Sequence, residues 1–283
     1  MDFPVAETRT SDGHALHGLF LRAKGSKTAL IFIHGTASNF YENYFMNVMS
    51  PLLIKRRISV ILANNRGNEV LKAYPPSGAS TEHFEACVRD IDAWIRFALF
   101  KRMSKIILMG HSLGSEKSVY YMNKGKLKGN VKALILLGVA DSYGTQLKYS
   151  RERNLLGEAM KMKREGRKNQ FLRSDWLSHA GVLPKTADSY VNFFAEGSEL
   201  SKALPLRNGR RLEMYRNISV PILSVIGDLH EYTSIPIKRA MELMEKENPL
   251  TESHQIKNCN HDFEGKEKEL ARTVMGFLKK IKI

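Results

Sequence analysis

The chain has 283 residues, 44 Lys/Arg against 29 Asp/Glu for a formal charge of +15, and 43% hydrophobic and 26% charged residues. That length buries a sizeable core and that composition is ordinary for a folded enzyme, which excludes disordered and miniprotein readings. No run approaches the roughly 18 apolar residues of a membrane span, and the N-terminus has neither a basic nor an apolar leader. Cys87 and Cys259 lie too far apart in sequence for a metal-ligand pattern and are too few for a disulfide framework. The expectation is a cytoplasmic protein with no cofactor, no metal and no membrane span.

Basic charge concentrates at 148–173, where nine Lys/Arg meet three Glu. Leu155, Leu156, Ala159, Met160 and Met162 recur between those charges at helical spacing, which predicts an amphipathic helix with a basic solvated face. No helix-turn-helix, zinc-finger or RNA-binding signature accompanies it, so no specific nucleic-acid partner is expected.

In chain order, 3–22 alternates around the turn Ser11-Asp12-Gly13 and predicts an antiparallel hairpin at a sheet edge. Aliphatic runs at 29–33, 58–63 and 106–109 have the pattern of strands buried on both faces. Helical patterns at 41–54 and 83–100 lie between them, the second with Phe84, Val88, Ile91, Ile95 and Leu99 on one side. Strands at 131–137, 222–226 and 253–257 follow, with helices at 115–123, 235–246 and 267–281. This alternation predicts an α/β fold: a mostly parallel sheet with helices on both faces and right-handed crossovers. About seventy residues separate the strands at 131–137 and 222–226, too many for a plain crossover. The reading is therefore a core of 1–141 and 216–283 carrying a helical cap, 142–215, with Trp176, Tyr190, Phe193 and Phe194 as a candidate apolar wall for substrate.

The segment Gly110-His111-Ser112-Leu113-Gly114 follows a buried strand and opens a helix. This is the G-x-S-x-G nucleophile elbow, in which flanking glycines permit a strained turn that presents the serine above the sheet. Ser112 is the candidate nucleophile. The Leu113 N–H, at the positive end of the following helix, is a candidate oxyanion donor, and the turn His34-Gly35-Thr36 after an earlier strand supplies a second candidate, the Thr36 N–H. His34 is expected to orient that turn and not to act as a base.

The His-Gly turn, the Asn64-Asn65-Arg66-Gly67 turn and Gly-His-Ser-Leu-Gly together resemble the alpha/beta-hydrolase superfamily along nearly the whole chain outside the cap. The Asn-Asn-Arg-Gly turn and the loop Asp228–Thr233 look most like a branch of serine esterases and serine aminopeptidase-like hydrolases. The resemblance implies hydrolysis of an ester, thioester or amide through an acyl-serine without a cofactor. It also implies that the base follows the last strand, where His261 stands in Asn258-Cys259-Asn260-His261-Asp262-Phe263; Asp262 is not chosen as its acid.

The acid departs from the superfamily pattern. After Val225-Ile226-Gly227 that pattern commonly reads Gly-x-x-Asp, and His230 occupies the fourth position here. Asp228 is the first choice, Glu231 and Asp141 are alternatives, and a dyad without an acid stays open. The expected partner is a small-molecule acyl substrate, with the basic rim at 148–173 favouring an anionic one; a homodimer is compatible with the sequence. Two further readings remain beside hydrolysis: acyl transfer at the same site, and a binding protein that kept the fold after losing the acid.

Overall fold

The computed structural model describes residues 4–72, 77–150, 154–173, 177–178 and 181–283. A hairpin of β1 (Val5–Arg9) and β2 (Ala15–Leu21) opens the chain, followed by β3 (Thr28–Ile33), α1 (Phe45–Lys55), β4 (Ile58–Ala63), α2 (Cys87–Phe100), β5 (Lys105–His111), α3 (Leu113–Lys124) and β6 (Val131–Leu137). After an insertion come β9 (Ile222–Ile226), α9 (Ile237–Glu247), β10 (Thr251–Gln255) and α10 (Glu267–Lys280). The strands form one eight-stranded sheet, order β1-β2-β4-β3-β5-β6-β9-β10. β2 runs antiparallel to both β1 and β4, and every other pairing is parallel. The chain therefore has the mostly parallel α/β architecture that its alternating pattern predicts, and the strand order agrees with what the resemblance to alpha/beta-hydrolases implies.

The aliphatic runs are central strands because both their faces are covered. On one face α1 and α10 place Phe45, Met49, Leu270 and Val274 against Leu30, Phe32, Ile107 and Met109; on the other, α2, α3 and α9 place Ile91, Trp94, Val119 and Ala240 in one cluster with Ile31, Ile33, Leu108 and Leu134. Parallel strands present their carboxyl ends together at one edge of such a sheet, and that edge is where ligands bind in open α/β folds.

The segment 142–215 contributes α4 (Ser142–Tyr149), α5 (Leu155–Arg164), the two-residue strands β7 (Leu177–Ser178) and β8 (Gly181–Val182), α6 (Ala187–Phe194), α7 (Glu199–Ala203) and α8 (Glu213–Arg216). A third apolar cluster joins it to the core: Tyr143, Leu155, Tyr190, Phe193 and Leu200 pack with Phe84, Leu113 and Tyr120. The basic helix predicted from 148–173 is shorter than its charge pattern. The Asn154 side chain starts α5 by accepting the Gly157 N–H at 3.1 Å, and Gly166, at φ 76°, turns the chain away just past the last turn. Its basic residues Lys161, Lys163 and Arg164 sit in that last turn, where the helix dipole favours cations. α1 also begins later than its apolar pattern, because the Asn39 side chain takes up the N–H groups of Tyr41 and Glu42 in a turn first. Among the described residues no helix is long and apolar enough to cross a membrane.

The entry of α3 into the sheet is the tightest contact in the core. A Cβ on Gly114 would lie 2.2 Å from the Ile33 carbonyl oxygen, a backbone atom of a central strand that has nowhere to move. Gly114→Ala is expected to cost about 3 kcal/mol, the upper range for overpacking a rigid site, measured as a lowered urea midpoint at unchanged slope.

Candidate active site

β5 ends at His111 and α3 begins at Leu113, so the chain reverses at one residue, Ser112, which takes φ 55° and ψ −126°. Non-glycine residues occupy that region at a cost, and the surroundings must hold them there. The Ser112 N–H donates to Leu137 O at 2.9 Å, and the Ser115 hydroxyl, one turn along, lies 3.0 Å from Gly110 O and 3.1 Å from Leu137 O. Side chains at the flanking glycines are excluded: a Cβ on Gly110 would sit 2.2 Å from Gly114 O, and one on Gly35 would sit 2.9 Å from the Ser112 Cβ.

His34 orients the neighbouring turn, as expected. Its Nδ1–H donates to Gly35 O at 2.8 Å, its Nε2 accepts the Asn65 N–H at 3.0 Å, and full burial lowers its pKa to about 3. Thr36 follows at the surface, and Thr36, Leu113, Ser112 and His261 line one cavity of about 330 Å3.

The His261 Nδ1–H donates to Glu231 Oε2 at 2.8 Å, and the other Glu231 oxygen accepts the Gly227 N–H at 2.9 Å. The Glu231 side chain is wholly buried, with one oxygen orienting the imidazole and the other anchored by the Gly227 N–H. Nε2 of His261 is buried, and no described residue hydrogen-bonds to it. The ring is wedged between the edge of Tyr232, centroids 4.5 Å apart, and the backbone of Gly138, where a Cβ would come within 2.9 Å of Cε1. The His111 Nε2–H donates to the His261 carbonyl at 2.9 Å, which ties the histidine loop to the residue beside Ser112.

Asp228, the first choice for the acid, lies elsewhere. Its Oδ1 accepts the Cys259 N–H at 3.0 Å while the Asp228 and Leu229 N–H groups both donate to Cys259 O, so it clamps the acid loop to the histidine loop. Backbone N–H groups at that carboxyl, first that of Cys259 and then that of Asn258, hold it below the usual range. Asp141 is also away from His261: it caps α4 through the Gly144 N–H and pairs with Arg207 Nη1 at 2.7 Å. His230, the fourth residue counted from Gly227, takes a left-handed φ of 58° immediately before Glu231. The sequence signal was a Glu one place beyond the customary Asp, but the turn that makes it reach is invisible in a propensity pattern.

Of the predicted wall, Phe193 lines the cavity with Phe194 and Leu183, whereas Tyr190 does not. Tyr190 is 1% exposed, stacks on Phe194 and accepts the Gln146 Nε2–H at 3.0 Å, because its hydroxyl needs a partner inside the insertion. Trp176 lies outside the described residues.

A family model described as a protein of unknown function, DUF1749, matches residues 26–279. The chain belongs to the DUF1749 family. No curated protein matches its sequence. Among solved structures it is similar to DcsB, described in complex with its substrate analogue, at TM-score 0.72 and 15% identity over 99% of each chain. It is also similar to the alpha/beta hydrolase GrgF from Penicillium sp. sh18, at TM-score 0.70 and 14% identity over 99% of each chain. Est1E from Butyrivibrio proteoclasticus, described with ferulic acid bound, aligns at TM-score 0.67 and 17% identity over 97% of this chain and 98% of that one. At such identities the likeness carries the hydrolase fold of this DUF1749 member and nothing of its substrate.

Burial lowers the pKa of His111 to about 4, with the neighbouring His261 charge adding to the effect. His34 and His111 thus stay neutral in the fold, while in the unfolded chain each takes up a proton below about 6.5. Folding stability is fully present above that pH and falls as pH drops from about 6.5 toward 4, because the unfolded state binds more protons. His111→Gln, which keeps an N–H for the His261 carbonyl, is expected to lower the proton count of this slope by about one in chemical denaturation across pH 4–7.

Proposed function

We propose that this DUF1749 protein is a serine hydrolase that cleaves a carboxylic ester of small or medium acyl size through an acyl-Ser112 intermediate. The observation that carries the reading is His261, whose Nδ1 is held by the buried Glu231 while its Nε2 has no hydrogen-bond partner among the described residues and borders the cavity of Ser112.

In this mechanism His261 Nε2 takes the Ser112 proton as Oγ attacks the acyl carbon, and returns it to the leaving alcohol. Glu231 fixes the tautomer with Nδ1 protonated and stabilises the imidazolium. The Leu113 and Thr36 N–H groups receive the oxyanion, the first helped by the α3 dipole. Water then enters and gives a proton to His261 as its oxygen attacks the acyl carbon; the Ser112 Oγ–acyl bond breaks, His261 returns the proton to Oγ, and the acid departs. The Glu231 carboxylate at His261 Nδ1 supports this reading over that of a binding protein that lost its acid.

The insertion 142–215 acts as a cap that chooses the acyl group. Leu183, Phe193 and Phe194 give the cavity an apolar wall. Its lysine, Lys185, is already committed to Ala79 O, to Ser189 Oγ and to the Phe193 ring 3.7 Å away, which favours a neutral acyl group over an anionic one. The aromatic acid described in Est1E and the phenylalanine wall here make aryl-substituted acyl esters a sensible first panel.

A fluorophosphonate probe is expected to label the wild type and leave Ser112→Ala unlabelled. Glu231→Gln is expected to lower kcat on p-nitrophenyl esters by about a thousand- to ten-thousand-fold, the scale of losing a triad carboxylate, and Asp228→Asn by less than about tenfold. Equal losses in the two variants, or a folded wild type that takes no label, would remove this reading.

A further inference from the structure

Glu116 lies on α3 one turn beyond Ser112 and is wholly buried. No cation pairs with it among the described residues: its oxygens meet only Ser142, one accepting the Ser142 N–H at 3.0 Å and the other in a short hydrogen bond with the Ser142 hydroxyl. The charged groups facing it from outside α3 are Asp141, just before α4, and Arg207. Arg207 is committed to Asp141 by the 2.7 Å ion pair and by the Arg207 N–H at 2.8 Å from the other Asp141 oxygen, so its charge is largely spent there. A carboxylate buried this way without a counter-ion is costly, and the group lowers that cost by keeping its proton. Desolvation accordingly pushes the Glu116 carboxyl well above the usual range, and Asp141 adds to it.

Ser142 lines the cavity that holds Ser112 and His261. A hydroxyl has one proton to donate. Were Glu116 ionised, that proton would be spent on the carboxylate and Ser142 would offer the cavity only lone pairs. With Glu116 protonated, the acid O–H donates to Ser142 Oγ, and the Ser142 proton is released toward the cavity.

We infer that Glu116 is a positioning residue that holds Ser142 as a hydrogen-bond donor in the acyl subsite, so that the favoured substrates carry an acceptor oxygen on the acyl group. This rests on the hydrolase reading above and deepens it: an acyl chain with an ether, keto or hydroxyl oxygen at the depth of Ser142 is selected over its hydrocarbon isostere. Phe193, Phe194 and Leu183, which line the same cavity, take the apolar part of that chain.

The test uses p-nitrophenyl esters of straight-chain acids and their isosteres in which one methylene is replaced by oxygen, the position walked along the chain. The readout is the ratio of kcat/KM for each ether–hydrocarbon pair, normalised to the ratio of their uncatalysed hydrolysis rates. At one position the wild type is expected to favour the ether, and Ser142→Ala to lower that ratio about three- to tenfold, the worth of one hydrogen bond. Glu116→Gln is the deciding variant. Its amide N–H donates to Ser142 Oγ and its carbonyl accepts the Ser142 N–H as the protonated acid does, so the preference should survive, whereas Glu116→Ala should abolish it. A second readout needs no turnover: the infrared spectrum at pH 7 should show a carboxylic-acid C=O band in the wild type that Glu116→Gln lacks. Ratios unmoved by Ser142→Ala at every position, loss of preference in a folded Glu116→Gln, or absence of the acid band would each overturn the inference. Hydrolysis of the plain esters by the wild type reports separately on the hydrolase reading.

Discussion

The close approach of the first turn of α3 to the ends of β3 and β5 is the constraint on which the rest depends. Three glycines, 35, 110 and 114, let backbone meet backbone where any side chain would collide. The elbow forces Ser112 into a strained conformation and places its side chain over the carboxyl edge of the sheet, within the cavity that the helix N-terminus also faces. The strain is held by the Leu137 carbonyl and by the Ser115 hydroxyl, groups that belong to neighbouring elements, so the position of Ser112 is a property of the whole sheet.

A second layer of organisation is polar and lies beneath the insertion. Lys117 and Glu82 form an ion pair at 2.8 Å with both side chains at most 2% exposed. Asp141 and Arg207 form another at the start of α4, beside the cation-free Glu116. Buried pairs of this kind are poor sources of net stability, since desolvation offsets most of the attraction, but removing one partner is severe. Lys117–Glu82 joins α3 to the segment before α2 within the core, whereas Asp141–Arg207 ties 142–215 to the core beside the apolar contacts of Phe84, Tyr120 and Phe193.

Much of the fold was legible because strands covered on both faces leave continuous aliphatic runs, and α2 and α10 leave clear apolar stripes. The strained turn at Ser112 was legible because its glycines are a packing necessity. Which carboxylate meets His261 was not, because Glu231 follows His230, whose left-handed φ no propensity pattern shows. Counting from Gly227 placed Asp228 close in sequence, and the backbone N–H of Cys259 took it away. Tyr190 was misplaced for a similar reason: helical spacing shows that an aromatic is buried, but the hydroxyl partner that turns it inward, Gln146, lies 44 residues away. Glu116 sits at an unremarkable helical position, and only the burial around it makes its carboxyl unusual.

The buried lysine cluster constrains how the cavity behaves toward its occupant. Lys185 reaches Ala79 O, and Ser189, its second partner, donates to Glu82 O at 2.6 Å, so α6 is fastened to the same loop segment that Lys117 holds from α3. Lifting α6 would strand a lysine in a low-dielectric gap and break both serine bonds at once. The Phe193 side of the cavity is therefore a fixed template, and selection on that side works by steric exclusion: a group too broad for the phenylalanine wall is turned away instead of being accommodated by a yielding flap.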